Sequence, residues 1–594
     1  MPIEDFHEEE VLEGKAYDAH LVRRVWKYIV PHRRIVIRSI LLLPVVAALQ
    51  ILQPFVVKEG IDRYFHEGSS LGLSLIAALF FVVLMAKVVA EYFQLYLMAL
   101  TGQRCLSDLR LDLFQHVQRL PTSFFDRTPV GRTMTRLTND IEVLSEMFTS
   151  GVVALVGDFV KLVAIFVVML VVQWKLTLVT FTAVPLVWVV ADLFRKKMRQ
   201  AYRLIRSKIA RINAFLQESI TGMKIVQLFA REKKNLGYFQ QINEDYRQAN
   251  RMSIQFDALL FSLVEMIGRF AIAMILWYGS GLHQKGWVTL GTLYLFIDLM
   301  QQFFVPLRDL SAKYAVLQSA MASLERVFGL FDEKVAMGGT PGDGLALRTV
   351  PTGITFKDVG FSYRPNQPVL KNISFEVRSG ERVALVGATG AGKSSIIKLL
   401  VRLYDYKSGE IRMGGRELRS WPLEELRREV VVVPQDVYLF SGSILENITL
   451  GDPLISAEKA KEAARVVDAE RFILNLPYGY DYEVGERGAT LSVGQKQLLS
   501  FARALVRDPK VLILDEATSS VSPDIEELVR QGIHRLMERR TTLVIAHRLS
   551  TIRDVDRIIV LHHGEVREMG THEELLALKG IYARLYELQY QLQE

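Results

Sequence analysis

The sequence predicts two fused parts of different fold class: an all-α membrane domain with six helices, and an α/β domain with a phosphate-binding loop (P-loop). Three observations support this prediction. Long apolar stretches are confined to the first half of the 594 residues. Short strands rich in Val, Ile and Leu follow in the second half. The glycine-rich segment GATGAGKSS, residues 387–395, directly follows one such strand and precedes a helical pattern.

The composition supports the membrane part. Hydrophobic residues make up 50% of the chain, and the mean hydropathy of +0.19 is high for a soluble protein. Each apolar stretch is long enough to cross a bilayer as a helix. The predicted spans are residues 35–57, 71–100, 151–172, 176–194, 256–278 and 288–305.

Charged residues interrupt several of these stretches, so the alternative to membrane spans is a set of buried helices in a soluble protein. The distribution of basic residues disfavours it, because they crowd residues 195–211 and are scarce at 58–70, 173–175 and 279–287. The positive-inside rule then predicts a multi-pass protein of the cytoplasmic membrane with both termini in the cytoplasm. The acidic first 14 residues do not resemble a signal peptide.

The formal net charge of +7 is explained by basic residues that meet anionic lipid headgroups, so no nucleic-acid partner is expected. A single cysteine, Cys105, excludes an intrachain disulfide.

The chain divides into four predicted segments. These are a cytoplasmic N-terminal segment (1–34), the membrane domain (35–327), a glycine-rich linker (328–352) and the α/β domain (353–594). Within the membrane domain, polar segments of helical spacing separate the second span from the third and the fourth from the fifth. Their tips, residues 121–132 and 218–232, place apolar residues beside a glycine turn. We expect both tips to project into the cytoplasm.

The P-loop carries the most specific chemistry. Gly387, Gly390 and Gly392 let backbone N–H groups close around phosphate oxygens, and Lys393 can reach the outer phosphates. The hydroxyl of Ser394 is a candidate Mg²⁺ ligand, and Ser395 completes the loop.

Three further strands end in polar residues that should meet this loop, since ligands bind at the carboxyl ends of parallel strands. Asp515 is predicted to hold Mg²⁺, and Glu516 to polarise the water that attacks the γ-phosphate. Gln435 is a candidate for contacting both Mg²⁺ and this water, and His547 for contacting the γ-phosphate. A plain loop glutamine and a surface histidine are the alternatives.

Ser492, Gly494 and Gln495 lie where a helix is predicted to begin, which makes an anion site. With this last motif the chain resembles the ATP-binding cassette (ABC) ATPases. GATGAGKS, VPQD, LSVGQKQ, LILDEATSS and IAHRLS occur in that family's order and spacing. The six preceding spans resemble its exporter branch, particularly bacterial multidrug and lipid half-transporters.

The resemblance implies a dimer in which two cassettes enclose two ATP molecules. Each site then combines one chain's P-loop with the other chain's signature, LSVGQ here. It implies that Tyr363 stacks on adenine and that the tips 121–132 and 218–232 are coupling helices. ATP hydrolysis would drive export by alternating access. Multidrug export is the preferred interpretation, a lipid or glycolipid flippase is the alternative, and an ATP-gated channel or sensing regulator is an alternative of another class.

Two positions depart from the family. Val493 stands where the signature of the family usually has glycine. Ser522, in the loop SSVSPD after LILDE, stands where the family usually has aspartate. Both serve the partner's ATP, whereas the residues that serve this chain's own ATP match. A heterodimer with one competent and one impaired site is therefore expected. A homodimer is the alternative, because Asp524 could substitute.

The candidate substrate pathway comprises Glu265, Arg269 and Asp298 in the fifth and sixth spans. Glu265 and Arg269 are four residues apart, as are Lys87 and Glu91, so each pair could instead staple its own helix.

Overall fold

This computed structural model describes residues 18–65, 70–147, 152–335, 353–515, 523–545 and 555–591. The chain forms two compact units. One comprises Met1–Gln118 and Pro129–Glu333, and the other comprises Arg119–Thr128 and Lys334–Glu594. The predicted tip 121–132 is thus divided, and its first part belongs to the unit that contains the P-loop.

The first unit is built of helices. In chain order the helices up to the predicted linker are α1 Ala19–Ile29, α2 Arg33–Glu59, α3 Ser70–Gln118, α4 Thr122–Arg127, α5 Val130–Leu137, α6 Asn139–Glu146, α7 Val152–Phe181, α8 Ala183–Thr221, α9 Met223–Leu228, α10 Glu232–Gln284 and α11 Leu290–Phe331; α4 belongs to the second unit. Because α11 continues to Phe331, the first residues of the predicted linker are helical. The rest of the linker, from residue 336, lies outside the described residues.

Within the described ranges, five helices are long and apolar enough to cross a membrane. They are Ala19–Tyr64, Ser70–Gln118, Ala154–Phe181, Glu232–Gln284 and Leu290–Leu307, and each covers all or most of one predicted span. The remaining predicted span, 176–194, is divided between the end of α7 and the shorter apolar stretch Ala183–Phe194 of α8. The backbone of Gln173 is not helical (φ −157°, ψ 92°) and interrupts α7 at the predicted loop 173–175.

The start of α11 is fixed by side chains. The Thr289 hydroxyl accepts a hydrogen bond from the Thr292 N–H (3.1 Å) and donates one to Asp62 (2.7 Å). Asp62 also accepts from the Gly291 N–H at 2.8 Å. A Cβ at Gly291 would lie 2.4 Å from the Lys58 carbonyl, so this approach requires glycine. The end of the first span is thereby held to the start of the last one.

The second unit is an α/β fold with three sheets. A six-stranded sheet has the order β12-β11-β3-β10-β9-β6, with parallel pairs except β11 with β12. A four-stranded antiparallel sheet has the order β2-β1-β4-β5, and β7 pairs with β8. The strands are β1 Ile354–Phe361, β2 Leu370–Val377, β3 Arg382–Gly387, β4 Ser408–Met413, β5 Arg416–Glu417, β6 Val430–Val433, β7 Gly442–Ser443, β8 Glu483–Val484, β9 Val511–Asp515, β10 Thr541–Ile545, β11 Arg557–His562 and β12 Glu565–Gly570. The helices are α12 Lys393–Leu400, α13 Leu423–Glu429, α14 Ile444–Thr449, α15 Ala457–Val466, α16 Glu470–Ile473, α17 Val493–Leu505, α18 Pro523–Met537, α19 His572–Ala577 and α20 Ile581–Gln591.

The six-stranded sheet is buried on both faces. On β3, Val383 and Leu385 enter one hydrophobic core, whereas Ala384 and Val386 enter the other. Alternate residues of a strand point to opposite faces, so a strand covered on both sides needs an unbroken apolar run. This requirement explains why the parallel strands could be recognised in the sequence.

Candidate active site

The P-loop connects the end of β3 to the start of α12. Gly390 and Gly392 have φ values of +82° and +104°, a region that other residues rarely adopt. A Cβ at Gly387 would lie 2.3 Å from the Leu561 carbonyl oxygen. The loop can therefore keep this shape only with glycine at these positions, and it presents the N-terminus of α12 to its concave side.

Lys393 is buried within this loop. Its ammonium donates hydrogen bonds to the carbonyl oxygens of Gly387 (2.6 Å) and Ala388 (3.2 Å). Ser394 is exposed in the first turn of α12, whereas Ser395 is buried. The loop thus combines a cation, an exposed hydroxyl and helix N–H groups, the combination that binds a nucleoside polyphosphate with Mg²⁺.

Tyr363 lies beside the P-loop. Its hydroxyl is 3.0 Å from the Ser395 hydroxyl, and its ring packs edge-on against Tyr404 at a centroid distance of 5.0 Å. The Lys398 ammonium lies 5.3 Å from the centre of the Tyr363 ring. An aromatic ring at this position is available for stacking on a base whose phosphates occupy the loop.

The strand register places the ends of β3, β6, β9 and β10 at the same edge of the sheet. Val433 of β6 pairs with Leu514, and Asp515 pairs with Ile545. Gln435 follows β6 by two residues and is exposed, and Asp515 is half-buried at the end of β9. Glu516 and His547 lie outside the described residues, so the roles given to them stay predictions.

The oxygen donors near the loop suit Mg²⁺, which prefers hydroxyl, amide and carboxylate oxygens. Ser394, Gln435 and Asp515 supply one of each kind, and all three follow strands that end at this edge. The residues present therefore fit both ATP and Mg²⁺.

The signature residues begin α17. Ser492 and Gln495 form a reciprocal capping box, in which the Ser492 hydroxyl accepts from the Gln495 N–H (3.3 Å) and the Gln495 side chain accepts from the Ser492 N–H (2.9 Å). Gly494 is buried, and the Val493 side chain is 52% exposed. The helix start thus tolerates valine at 493, and its side chain projects outward from the fold of its own chain.

Arg503 links this helix to the chain that follows β6, a connection that sequence reasoning missed. Its guanidinium donates to the carbonyl oxygens of Asn447 (2.8 Å) and Tyr438 (3.0 Å). Burial lowers the pKa of Arg503 to about 10. Arg503 lies in the last turn of its helix, where basic residues are common, so no specific sequence signal marks these contacts.

The segment Arg119–Thr128 of the second unit contacts the P-loop region. The Tyr404 hydroxyl donates a hydrogen bond to Asp126, and Phe124 is buried. Burial, and then this hydrogen bond, raise the pKa of Tyr404 above its ordinary range. The resemblance implies that this tip is a coupling helix, but Tyr404, which also packs against Tyr363, is a partner that the sequence did not indicate.

The membrane helices pair most of their charged side chains. Arg269 donates to Glu265 at 2.9 Å, although both are at least half exposed, and Lys87 lies 3.6 Å from Glu91. Asp298 accepts a hydrogen bond from Gln302 at 2.7 Å. An unpredicted ion pair, Asp158 with Lys313, joins α7 to α11. The structure thus brings Glu265 and Arg269 together, and it places Asp298 on a different helix.

Two family models match the chain. The model of the ABC transporter transmembrane region matches residues 36–307, and the ABC transporter model matches residues 370–519. The chain belongs to the ABC transporters. The resemblance found in the sequence is confirmed.

This ABC transporter is similar to several curated proteins over most of its length. It is 38% identical over 529 residues to the probable multidrug resistance ABC transporter ATP-binding/permease protein YheH of Bacillus subtilis, covering 88% of this chain and 78% of that protein. It is 35% identical over 570 residues to the ATP-dependent lipid A-core flippase of Syntrophus aciditrophicus, covering 96% and 94%. The solved structure of a bacterial Atm1-family ABC exporter with ATP bound matches with a TM-score of 0.77 and 28% identity, covering 94% of this chain and 98% of that one.

The ABC transporter is thus an exporter half-transporter, with a helical membrane domain fused to an ABC cassette. Its cassette binds ATP and couples ATP hydrolysis to transport. The half-transporter architecture requires a second ABC chain, and the apolar helices make the protein a multi-pass protein of the membrane.

Proposed function

We propose that this half-transporter exports hydrophobic or amphipathic small molecules of the multidrug type across the cytoplasmic membrane by alternating access. The observation that carries the proposal is the fusion of apolar membrane helices to a cassette whose P-loop, Asp515 and Gln435 lie at one edge of a sheet. The similarity to a probable multidrug resistance transporter supports this substrate class. The positive-inside distribution supports cytoplasmic termini.

The cassette residues have separate roles in ATP binding and hydrolysis. Lys393 and the helix N–H groups hold the phosphates, and Tyr363 holds the adenine. Mg²⁺, held by Ser394, Asp515 and Gln435, would neutralise charge on the outer phosphates. Glu516 accepts a proton from the attacking water as general base, while Gln435 orients this water. His547 donates a hydrogen bond to the γ-phosphate.

The alternating step follows from closure of two cassettes on ATP. Ser492, Gly494 and Gln495 of one chain then face the γ-phosphate held by the other chain's P-loop. Since ATP binds the closed arrangement better than the open one, it shifts the equilibrium between the two. Hydrolysis removes that preference and resets the membrane helices.

Vesicle transport tests the export proposal. Inside-out vesicles that contain the transporter should accumulate a fluorescent hydrophobic dye when ATP is added, and Glu516→Gln vesicles should not. Equal uptake by the two proteins, or no ATP-dependent uptake of any compound in a panel of dyes, lipids and peptides, would contradict the proposal.

The altered signature supports a heterodimer with one impaired site. Val493 is exposed at the first position of α17, beside the hydroxyl of Ser492. Its branched side chain would occupy the space through which the partner's γ-phosphate approaches the helix. Ser522 lies outside the described residues. This chain would supply the P-loop of the competent site and the signature of the impaired one.

Purification of the chain alone tests this part of the proposal. A lone homodimer should hydrolyse ATP slowly and respond weakly to drugs, because both of its sites contain the altered signature. Strong drug-stimulated hydrolysis by the lone chain would favour the homodimer.

Two other functions are distinguished by direct assays. Lipid or glycolipid flipping is supported by the similarity to a lipid A-core flippase, and a fluorescent-lipid flipping assay in proteoliposomes tests it. An ATP-gated channel or sensing regulator would pass ions or signal without net uphill transport, and single-channel recording would detect the ion current.

A further inference from the structure

Two polar residues outside the nucleotide site hold the segment that follows Gln435. Arg503 lies near the end of α17, and Asn447 lies in α14. The guanidinium of Arg503 donates to the backbone carbonyl oxygens of Asn447 (2.8 Å) and Tyr438 (3.0 Å). It also donates to the side-chain oxygen of Asn447 at 3.3 Å. Arg503 and Asn447, here called the loop clamp, thus join α17 to α14 and to the segment after β6.

Asn447 holds the same segment with its own side chain, and it is only 2% exposed. Its oxygen accepts a hydrogen bond from the Phe440 N–H at 2.9 Å. Its amide donates to the carbonyl oxygens of Phe440 (2.8 Å) and Ser443 (3.1 Å). With the bond from Arg503, both lone pairs and both hydrogens of this amide are used. The backbone at Phe440 is therefore held at its donor and at its acceptor.

Gln435 lies between two fixed points of the backbone. On one side, Val433 ends β6 and is paired within the six-stranded sheet. On the other side, the carbonyl of Tyr438 is bonded to Arg503. The intervening residues 434–437 are too few to span much more than this gap, so they follow any movement of its ends. The position of Gln435 therefore depends on α17 as well as on the sheet.

Leu439 provides a second, apolar contact between this segment and the start of α17. Its side chain is fully buried. Gly488 lies just before the signature residue Ser492 and has a φ of +67°, and a Cβ on it would lie 2.9 Å from a methyl carbon of Leu439. The segment is thus attached both ahead of α17, through Gly488, and in its last turn, through Arg503.

The chemistry of the loop clamp favours positioning over simple packing. Arg503 is half-buried, and within the described ranges its hydrogen-bond acceptors are amide oxygens rather than a carboxylate. Removing a cation from water without a counter-ion is costly, and an apolar side chain would pack here at lower cost. The planar guanidinium instead supplies several hydrogen bonds of fixed direction.

We propose that the loop clamp positions Gln435 for ATP hydrolysis, with Arg503 as a positioning residue that acts through the backbone of Tyr438. The inference rests on the proposed function, in which Gln435 orients the attacking water. Because α17 also begins with the signature that serves the partner's ATP, the clamp joins the residue that serves one ATP to the helix that serves the other. A shift of α17 then displaces Gln435 in this chain's own site.

A double-mutant cycle in the purified full-length dimer tests the proposal. Arg503→Lys keeps the charge but loses the fork of hydrogen bonds. We expect kcat for ATP to fall by about tenfold and KM to change by less than about twofold, because the clamp lies outside the P-loop and Tyr363. In a Gln435→Ala background, Arg503→Lys should lower kcat no further. A merely structural residue would lower kcat by the same factor in both backgrounds.

Arg535→Lys is the matched control. The Arg535 guanidinium donates to the Val466 carbonyl oxygen at 2.8 Å, so the substitution removes a comparable bond, here between α18 and α15. It should leave kcat within about twofold of the wild-type value. A fall in kcat as large as that of Arg503→Lys would show a general effect of losing such a bond and would overturn the proposal.

Thiol labelling gives a readout apart from hydrolysis. Gln435→Cys places a thiol at an exposed position, whereas the native Cys105 is buried. A non-hydrolysable ATP analogue with Mg²⁺ should slow maleimide labelling of residue 435 by about fivefold or more when the clamp is intact. Adding Arg503→Lys should remove most of this protection. Equal protection in the two proteins, or none in either, would contradict the proposal.

A second variant and a parallel assay separate the possible failures. Where Arg503→Lys does not assemble, Asn447→Asp replaces it, since aspartate keeps the acceptor for the Phe440 N–H and loses only the amide donor. Additive losses of kcat overturn this inference alone. An unchanged kcat in Gln435→Ala overturns the role proposed for Gln435 together with this inference. Absence of ATP-dependent dye transport by the wild type overturns the export function, whereas the cycle is read from ATP hydrolysis.

Discussion

The P-loop of the cassette and the Asp158–Lys313 ion pair of the membrane helices both contain charged side chains, but they are built differently. The P-loop residues 387–395 are continuous in the chain, and their shape is fixed by positive φ angles and by the end of β3. The ion pair takes one residue from α7 and one from α11, which are 155 positions apart in sequence. A local site is encoded in a motif, whereas a dispersed site depends on how helices pack.

The largest effect is expected at Glu516, where the local chemistry is most strongly predicted. Glu516→Gln removes the proposed general base and should lower the ATPase rate by about 10²–10⁴-fold while ATP binding persists. The measurement is phosphate release alongside binding of a fluorescent ATP analogue. Glu458→Gln, an exposed surface substitution, is the matched control. Normal hydrolysis by Glu516→Gln would show that another group is the base.

A smaller effect is expected where Arg119–Thr128 meets the cassette. Tyr404→Phe keeps the ring against Tyr363 but removes the hydrogen bond to Asp126. We expect transport per ATP hydrolysed to fall by about three- to tenfold, since an exposed hydrogen bond contributes about 0.5–1.5 kcal/mol and about 1.4 kcal/mol corresponds to tenfold. Tyr406→Phe, which loses a 2.9 Å bond to Glu417 instead, is the control. Equal coupling in both variants would contradict a role for the Tyr404 contact.

Two ion pairs of the membrane helices should differ in their contribution to stability. Asp158 and Lys313 are 25% and 22% exposed and join two helices, whereas Glu265 and Arg269 are 50% and 70% exposed and lie on one helix. Asp158→Asn should lower the free energy of unfolding by about 2 kcal/mol, because its pair joins two helices. Arg269→Gln should lower it by less than about 0.5 kcal/mol, because its i,i+4 pair lies within one helix. Thermal unfolding in one detergent compares them. Equal melting temperatures would contradict the distinction.

The smallest effect is expected at the cassette surface. The hydrogen bond from Arg382 is the main cause that lowers the pKa of Asp556, although Asp556 is exposed. A depressed folded pKa gives stability that is present above the unfolded pKa, about 3.9, and is lost as the pH falls through the folded pKa. Asp556→Asn should therefore lower the free energy of unfolding at pH 7 by at most about 1 kcal/mol, which is measured as a lower melting temperature. The difference should begin to shrink as the pH falls below about 4 and should be lost only below the lowered folded pKa of Asp556. A constant difference from about pH 7 down to that range would contradict the assignment.

Local motifs could be predicted from the sequence, whereas contacts between distant residues could not. The parallel strands β3, β6, β9 and β10 were recognisable because burial on both faces requires continuous apolar residues, and their polar ends then followed from topology. Asp126 and Tyr404 were not predicted as partners, because their contact joins residues 278 positions apart. Asp158 and Lys313 are separated by 155 positions, and only the packing of α7 on α11 brings them together.

One helix break within the predicted membrane spans could not be recognised in the sequence. The sequence predicts the fourth span as one continuous helix, but the structure divides the apolar residues from 176 to 194 between α7 and α8. Thr182, between the two, donates its hydroxyl hydrogen bond to the Val179 carbonyl. The run of apolar residues continues through this break, so the sequence does not reveal it. The break at Gln173, in contrast, coincides with a polar residue.

The central claim is that this chain contributes a complete P-loop half-site and an impaired signature. The most direct test is the ATPase rate of the lone homodimer before and after Val493→Gly with Ser522→Asp. We predict a slow wild type and an increase of about tenfold or more in the double variant, because the γ-phosphate could then reach the α17 N-terminus in productive geometry. A wild-type homodimer that already hydrolyses ATP as fast as the double variant would contradict the claim.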